Sequence, residues 1–121
     1  MNIDLNGHEG LRLWLQTLTD TVRARGPDLT SRQLALLLMI YLKPPPHTVR
    51  GLAQALNVSK PVITRAVDSL SILGYVKRVR DETDKRNVLI QRTVKGAVFL
   101  TDFAEIMEKA SQKTNQPETL P

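Results

Sequence analysis

The chain reads as a mainly α-helical protein with one small β-hairpin: about five helices and a two-stranded ribbon. Three observations predict this. Helix start and stop signals recur along the chain, among them Thr30 three residues before Gln33, Gly26-Pro27, the Pro44-Pro45-Pro46 triplet and Gly74. A short helix, a tight turn and a second helix are written between Thr48 and Leu73. Two short runs, residues 75–80 and 87–92, flank a polar loop and read as a ribbon.

The first helix is expected over residues 9–25, where Leu11, Trp14, Leu15, Leu18 and Val22 recur at helical spacing. Gly26-Pro27 should end it, glycine as the cap and proline as the stop. Thr30 and Gln33 then make a capping box for a second helix that runs to Leu42. That helix is apolar nearly all round, which marks it as the buried centre. The three prolines stop it and form a stiff connector.

Thr48 can cap a third helix that ends near Leu56, with Asn57-Val58 as the turn. Ser59 should cap a fourth, with Pro61 tolerated in its first turn. Val62, Ile63, Ala66, Val67, Leu70 and Leu73 fall on one side of this helix, and Pro61, Thr64, Arg65 and Asp68 on the other. Gly74 should close it in a left-handed conformation. After the ribbon, Thr93 caps a last helix over residues 94–110, with Ala97, Leu100, Ala104 and Met107 on one face. The expected division is therefore one domain over residues 1–110 and a flexible polar tail over 111–121.

Size and composition narrow the function. A chain of 121 residues suits one domain, and its 41% hydrophobic content is ordinary for a soluble fold. The longest apolar run, residues 34–42, is too short to cross a bilayer, and no secretory leader opens the chain. The absence of cysteine excludes disulfides, thiol redox sensing and thiolate metal sites. A cytoplasmic protein is the simplest fit. The net charge of +5 is concentrated in residues 48–96, which hold ten Lys/Arg against four Asp/Glu. A basic surface alone is often just a solvated face. Its coincidence with a helix-turn-helix points to a polyanion.

A helix sized for the major groove, followed by a basic hairpin, is a device for gripping duplex DNA. The helix over residues 59–73 is the expected reader. Ser59, Lys60 and Pro61 stand at its start, beside phosphates or the groove edge. Thr64 can meet a thymine methyl or a base edge, and Arg65 can fork onto guanine O6 and N7. Thr48 and Arg50 open the preceding helix, whose amide groups favour an anion such as a phosphate. The competing role of Thr48 and Ser59 is plain capping. Asp68 faces outward and should pair with Arg65 or another cation, since a bare carboxylate repels phosphate. In the hairpin, Arg78, Arg80, Lys85 and Arg86 surround Asp81, Glu82 and Asp84. One of these carboxylates can orient a guanidinium, and Arg86 can then enter a minor groove. A solvated charged turn is the bland alternative.

These residues resemble a known family. The run from Leu52 to Leu70, then Leu73-Gly-Tyr-Val-Lys-Arg78, Asp84-Lys-Arg86 and Thr93-Val-Lys-Gly96 look like the winged helix-turn-helix of MarR-type transcriptional regulators. Leu29-Thr30 with Gln33 resembles the start of that family's second helix. The resemblance implies a transcription factor, usually dimeric, that binds an inverted repeat. It places the 59–73 helix in the major groove and the wing, residues 81–86, in the minor groove, with Asp84 orienting Arg86. Two positions depart from the pattern: Gly51 stands where an acid is common, and Arg92 where a leucine is. The homodimer that the family builds from its terminal helices would here use Leu11, Trp14, Leu15 and Leu18, or Phe99, Phe103 and Ile106. Closing the monomer's own core is the other role for those residues.

The expected function is thus sequence-specific double-stranded DNA binding in transcriptional control. The alternative is a winged helix that docks onto another protein factor. An enzyme is not expected: His8 and His47 read as surface histidines, and no phosphate-binding glycine loop or metal-ligand spacing occurs. No cofactor, metal or membrane partner is expected, and the sequence names no small-molecule effector.

Overall fold

The computed structural model describes residues 6–114. Seven elements follow in chain order: α1 (Gly7–Arg23), α2 (Ser31–Leu42), α3 (Val49–Leu56), α4 (Lys60–Ile72), β1 (Val76–Arg80), β2 (Val88–Arg92) and α5 (Val94–Thr114). Five helices and one antiparallel hairpin match the expected architecture. The described residues fall into two units, residues 29–99 and the pair of terminal segments, residues 6–28 and 100–114.

The central unit is built on α2. The capping box forms as written: Thr30 Oγ1 accepts from the Gln33 amide at 3.1 Å, and Gln33 Oε1 accepts from the Thr30 amide at 2.9 Å. Leu36, Leu37 and Ile40 are fully buried, as an all-round apolar helix requires. α4 packs on α2 and α3 and supplies Ile63, Val67 and Leu70 to the same core. Asn57 takes the left-handed conformation (φ 54°) that turns α3 into α4. Gly74 does the same at the end of α4, with φ 82°.

The hairpin pairs Val76 with Arg92 and Arg80 with Val88 at its two ends. Val76 and Ile90 point inward. The segment before α3 lies alongside β2: Thr48 bridges Leu89, and the Ile90 amide donates to the His47 carbonyl at 2.9 Å. His47 is therefore buried rather than on the surface as expected. Its Nε2 stands 3.1 Å from the Lys43 carbonyl, which assigns the ring proton to that nitrogen.

A polar lock joins α2, the hairpin and the start of α5. The Tyr41 hydroxyl accepts from the Thr93 amide at 2.9 Å and faces the Tyr75 and Thr93 carbonyls at 2.7 and 3.0 Å. Thr93 Oγ1 donates to the Gly74 carbonyl and accepts from the Gly96 amide, so it caps α5 as expected. A Cβ at Gly96 would fall on the Tyr41 hydroxyl and the Tyr75 carbonyl, which explains the glycine. Tyr75 stacks on Phe99 with ring centroids 4.6 Å apart. Arg92 donates from Nε to the Ile40 carbonyl (2.9 Å) and from Nη2 to the Lys43 carbonyl (3.1 Å), closing the C-terminus of α2.

In the terminal unit, Asn6 caps α1 by accepting from the Glu9 amide. The helix ends on Ala24, and the left-handed residue is Arg25 (φ 57°) rather than Gly26. Leu13 and Thr17 are its buried residues, with the Thr17 hydroxyl donating to the Leu13 carbonyl. The apolar stripe that revealed this helix lies on the outside: Leu11, Leu15 and Val22 are about two-thirds exposed (68%, 67% and 68%), and Trp14 and Leu18 are exposed too.

α5 runs four residues past its expected end at Ala110, to Thr114. Ser111–Thr114 therefore belong to helix, not tail, and the remainder of the expected tail lies outside the described residues. Phe103, Ala110 and Ser111 are buried on α5, whereas Ala97 and Ala104, placed on one face by spacing, are exposed. Among the described residues, no helix is long and apolar enough to cross a membrane.

Candidate nucleic-acid interface

Local chemistry sets each side chain of the basic surface. Thr48 Oγ1 accepts from the Gly51 amide at 3.0 Å and so caps α3, which leaves Arg50 exposed in the first turn. Gly51 sits where a Cβ would press on that cap at 3.2 Å. Ser59 occupies the N-cap position of α4, but its side chain makes no capping bond, contrary to expectation. Lys60, Pro61, Thr64 and Arg65 are all exposed on α4, as the spacing required.

Two recesses flank α4. One, of about 280 Å³, is lined by Thr48, Arg50, Lys60, Thr64 and Arg86, together with Val88 at the root of β2. Five expected site residues from α3, α4 and the hairpin loop thus converge. The other, of about 200 Å³, is lined by Thr30, Arg32 and Gln33 of the α2 start and by Val62, Arg65 and Ser69 of α4. Arg65 therefore shares a recess with Arg32, a residue the sequence reading did not single out. Nothing local marks Arg32. Only the packing of α2 on α4 brings it to this surface. Arg80 and Lys85 are exposed but line neither recess, and Ser59 lies with Arg50 and Lys60 along the α3–α4 turn.

The hairpin loop is ordered by its acids. Asp81 Oδ1 accepts from the Thr83 amide and hydroxyl at 3.0 and 2.7 Å. Asp84 accepts from the Arg86 amide (3.1 Å) and holds the guanidinium with both oxygens, Oδ1 to Nε at 3.0 Å and Oδ2 to Nη2 at 3.1 Å. Such a fork fixes direction as well as position. The Arg86 hydrogen bonds hold the Asp84 carboxyl below its ordinary value, and Arg50 is near enough to lower it further. The same pair raises the Arg86 guanidinium. Arg86 remains 90% exposed, so the fork orients it without hiding it.

Arg78, on β1, turns back onto α4. It pairs with Asp68 and donates to the Thr64 carbonyl at 3.2 Å. This is the cationic partner that an outward-facing Asp68 needed. The described residues contain no group of three or more His, Cys, Asp or Glu able to hold a metal ion.

A three-helix core whose last helix leads into a β-hairpin defines the winged helix-turn-helix proteins. Within that class, residues 28–87 match the model of the MarR family, and the chain belongs to this family of winged-helix transcriptional regulators. Among solved structures it is similar to transcriptional regulator Tm0710 from Thermotoga maritima, at 26% identity and a TM-score of 0.72, over 86% of this chain and 70% of that one. It is similar also to reduced AbfR bound to DNA, at 25% identity and a TM-score of 0.64, over 84% of this chain and 74% of that one. The MepR–DNA complex of S. aureus shares the fold, at 23% identity and a TM-score of 0.69, over 88% and 82%.

Proposed function

We propose that this chain regulates transcription by binding duplex DNA, with α4 in the major groove and the hairpin wing, residues 81–86, in the adjacent minor groove. One observation carries the reading: Thr48, Arg50, Lys60, Thr64 and Arg86, drawn from three separate elements, line one recess. A backbone phosphate held there would meet three cations and the start of α3. The wing arginine, aimed by Asp84, then follows the strand into the minor groove, where negative potential is concentrated. Pro61 lies on the outer crest of α4 and Thr64 between that crest and the recess, within reach of base edges, while Arg80 and Lys85 extend the positive field. The family match and the DNA-bound AbfR structure support the DNA-binding part of this reading.

Regulators of this kind bind inverted repeats as dimers, which requires a second copy. The exposed stripe of α1, residues 11–22, is the face proposed to meet it. No catalytic step is assigned to the protein. The decisive experiment is a fluorescence-anisotropy titration of labelled duplexes selected from a random pool, at several salt concentrations. Arg86→Ala and Lys60→Ala should each weaken binding and flatten the salt dependence, by about 0.9 in the log–log slope per lost phosphate contact. Unchanged titrations for both variants would refute the proposal.

A further inference from the structure

We propose that Arg32 and Arg65 together clamp a DNA backbone phosphate on the flank of α4 away from the wing, so that Arg65 positions the helix rather than reading guanine. The inference rests on the DNA-binding reading above and departs from it in the role of Arg65. Three observations support it. First, both arginines line the same recess, and no acidic residue lines it. Second, both are exposed, and neither makes an ion pair or side-chain hydrogen bond among the described residues. By contrast Arg78, Arg86 and Arg92 are each committed to a carboxylate or a carbonyl. Two cations sharing a recess without an anion repel one another, and a phosphodiester oxygen bound between them relieves that repulsion.

The third observation is placement. At 3.6 residues per turn, Lys60 and Thr64 point to one flank of α4, whereas Val62 and Ser69 point to the opposite flank, with Arg65 leaning toward them. The first flank faces the wing-side recess and the second faces Arg32. A helix lying in a major groove has a sugar–phosphate backbone on either side of it. The wing-side recess serves one backbone, and the Arg32–Arg65 recess meets the other. Pro61, midway between the two flanks, is left nearest the bases, with Thr64 beside the wing-side clamp.

The test uses the full chain with two probes, a mixed-sequence duplex and the tightest duplex selected from a randomised pool, titrated across a range of salt. Arg32→Ala and Arg65→Ala should each bind both probes about tenfold more weakly. The ratio between probes should hold, and the salt slope should fall by about 0.9 for each variant. Arg32→Lys should recover most of the loss, because a point charge still neutralises a phosphate. Thermal melts should match the parent, since both side chains are exposed. If Arg32→Ala binds like the parent while Arg86→Ala is weakened, the clamp is wrong and the DNA-binding reading survives. If Arg65→Ala loses affinity for the selected duplex alone, Arg65 reads bases and the clamp is likewise overturned. If the unaltered protein binds neither probe, the DNA-binding reading fails and takes the clamp with it.

Discussion

Arg78 on β1 forms an ion pair with Asp68 on α4 and donates a hydrogen bond to the Thr64 carbonyl one turn earlier. The wing is thereby strutted against the helix it flanks. The strut also removes a liability, because a bare carboxylate on the outer face of α4 would repel phosphate.

Both partners of this pair are partly open to solvent, with side-chain exposures of 36% and 50%, so its contribution to stability should be small. A double-mutant cycle of Asp68→Asn and Arg78→Gln, read by urea unfolding, should give a coupling of about 0.2–1 kcal/mol. Strictly additive effects would mean that the two side chains do not cooperate in solution.

Gly96 and Tyr41 give a sharper prediction. Gly96→Ala forces a methyl group into the Tyr41 hydroxyl and the Tyr75 carbonyl, so stability should fall by about 3 kcal/mol. Tyr41→Phe keeps the ring but strands the partly buried Thr93 amide, at a cost of about 1–3 kcal/mol. Denaturant midpoints measure both. If Gly96→Ala unfolds at the parent's midpoint, the close approach is not a constraint.

How much of the fold is legible in the sequence depends on the range of the interactions involved. The Thr30–Gln33 box, the Asn57 turn and the Gly74 stop are local devices, written in neighbouring residues, and each formed where expected. The Asp84–Arg86 fork spans only two residues, yet the residues alone left Asp81, Glu82 and Asp84 open as the partner, and only the family resemblance singled out Asp84. Arg92 was not legible. It departs from the family pattern, and its purpose appears only when Ile40 and Lys43, 52 and 49 residues away, present their carbonyls to it. His47 was misjudged for the same reason: its burial depends on the pairing of its segment with β2. Spacing correctly identified α1 as a helix. It did not show that the apolar stripe faces outward while Leu13 and Thr17 face inward.

That stripe leads to a prediction about assembly. Leu11, Trp14, Leu15, Leu18 and Val22 form one exposed apolar row along α1. Exposed contiguous apolar surface of this kind marks an interaction site. Sedimentation should show a dimer for the full chain, and Leu15→Glu with Leu18→Glu should dissociate it without lowering helix content. A parent protein that sediments as a monomer at high concentration would exclude α1 as the dimer face.

Acid should release the wing arginine. The Arg86 side chain, first, and its amide hold the Asp84 carboxyl below its ordinary value of 3.8, so the fork is lost only as pH falls through that lowered value. A depressed carboxyl contributes its order above the unfolded value and gives it up in acid. From neutrality down to the ordinary carboxylate range, therefore, the Asp84–Arg86 pair should persist, and Asp81, lowered chiefly by the Thr83 hydroxyl, should hold its turn as well. Carbon-detected NMR titration of the Asp84 carboxyl reads this directly, and a midpoint at or above 3.8 would contradict it. Asp84→Asn tests the consequence for binding. If the carboxylate serves to aim Arg86, the variant should bind DNA more weakly even though a charge that repels phosphate has been removed. Tighter binding would mean that repulsion outweighs orientation at this position.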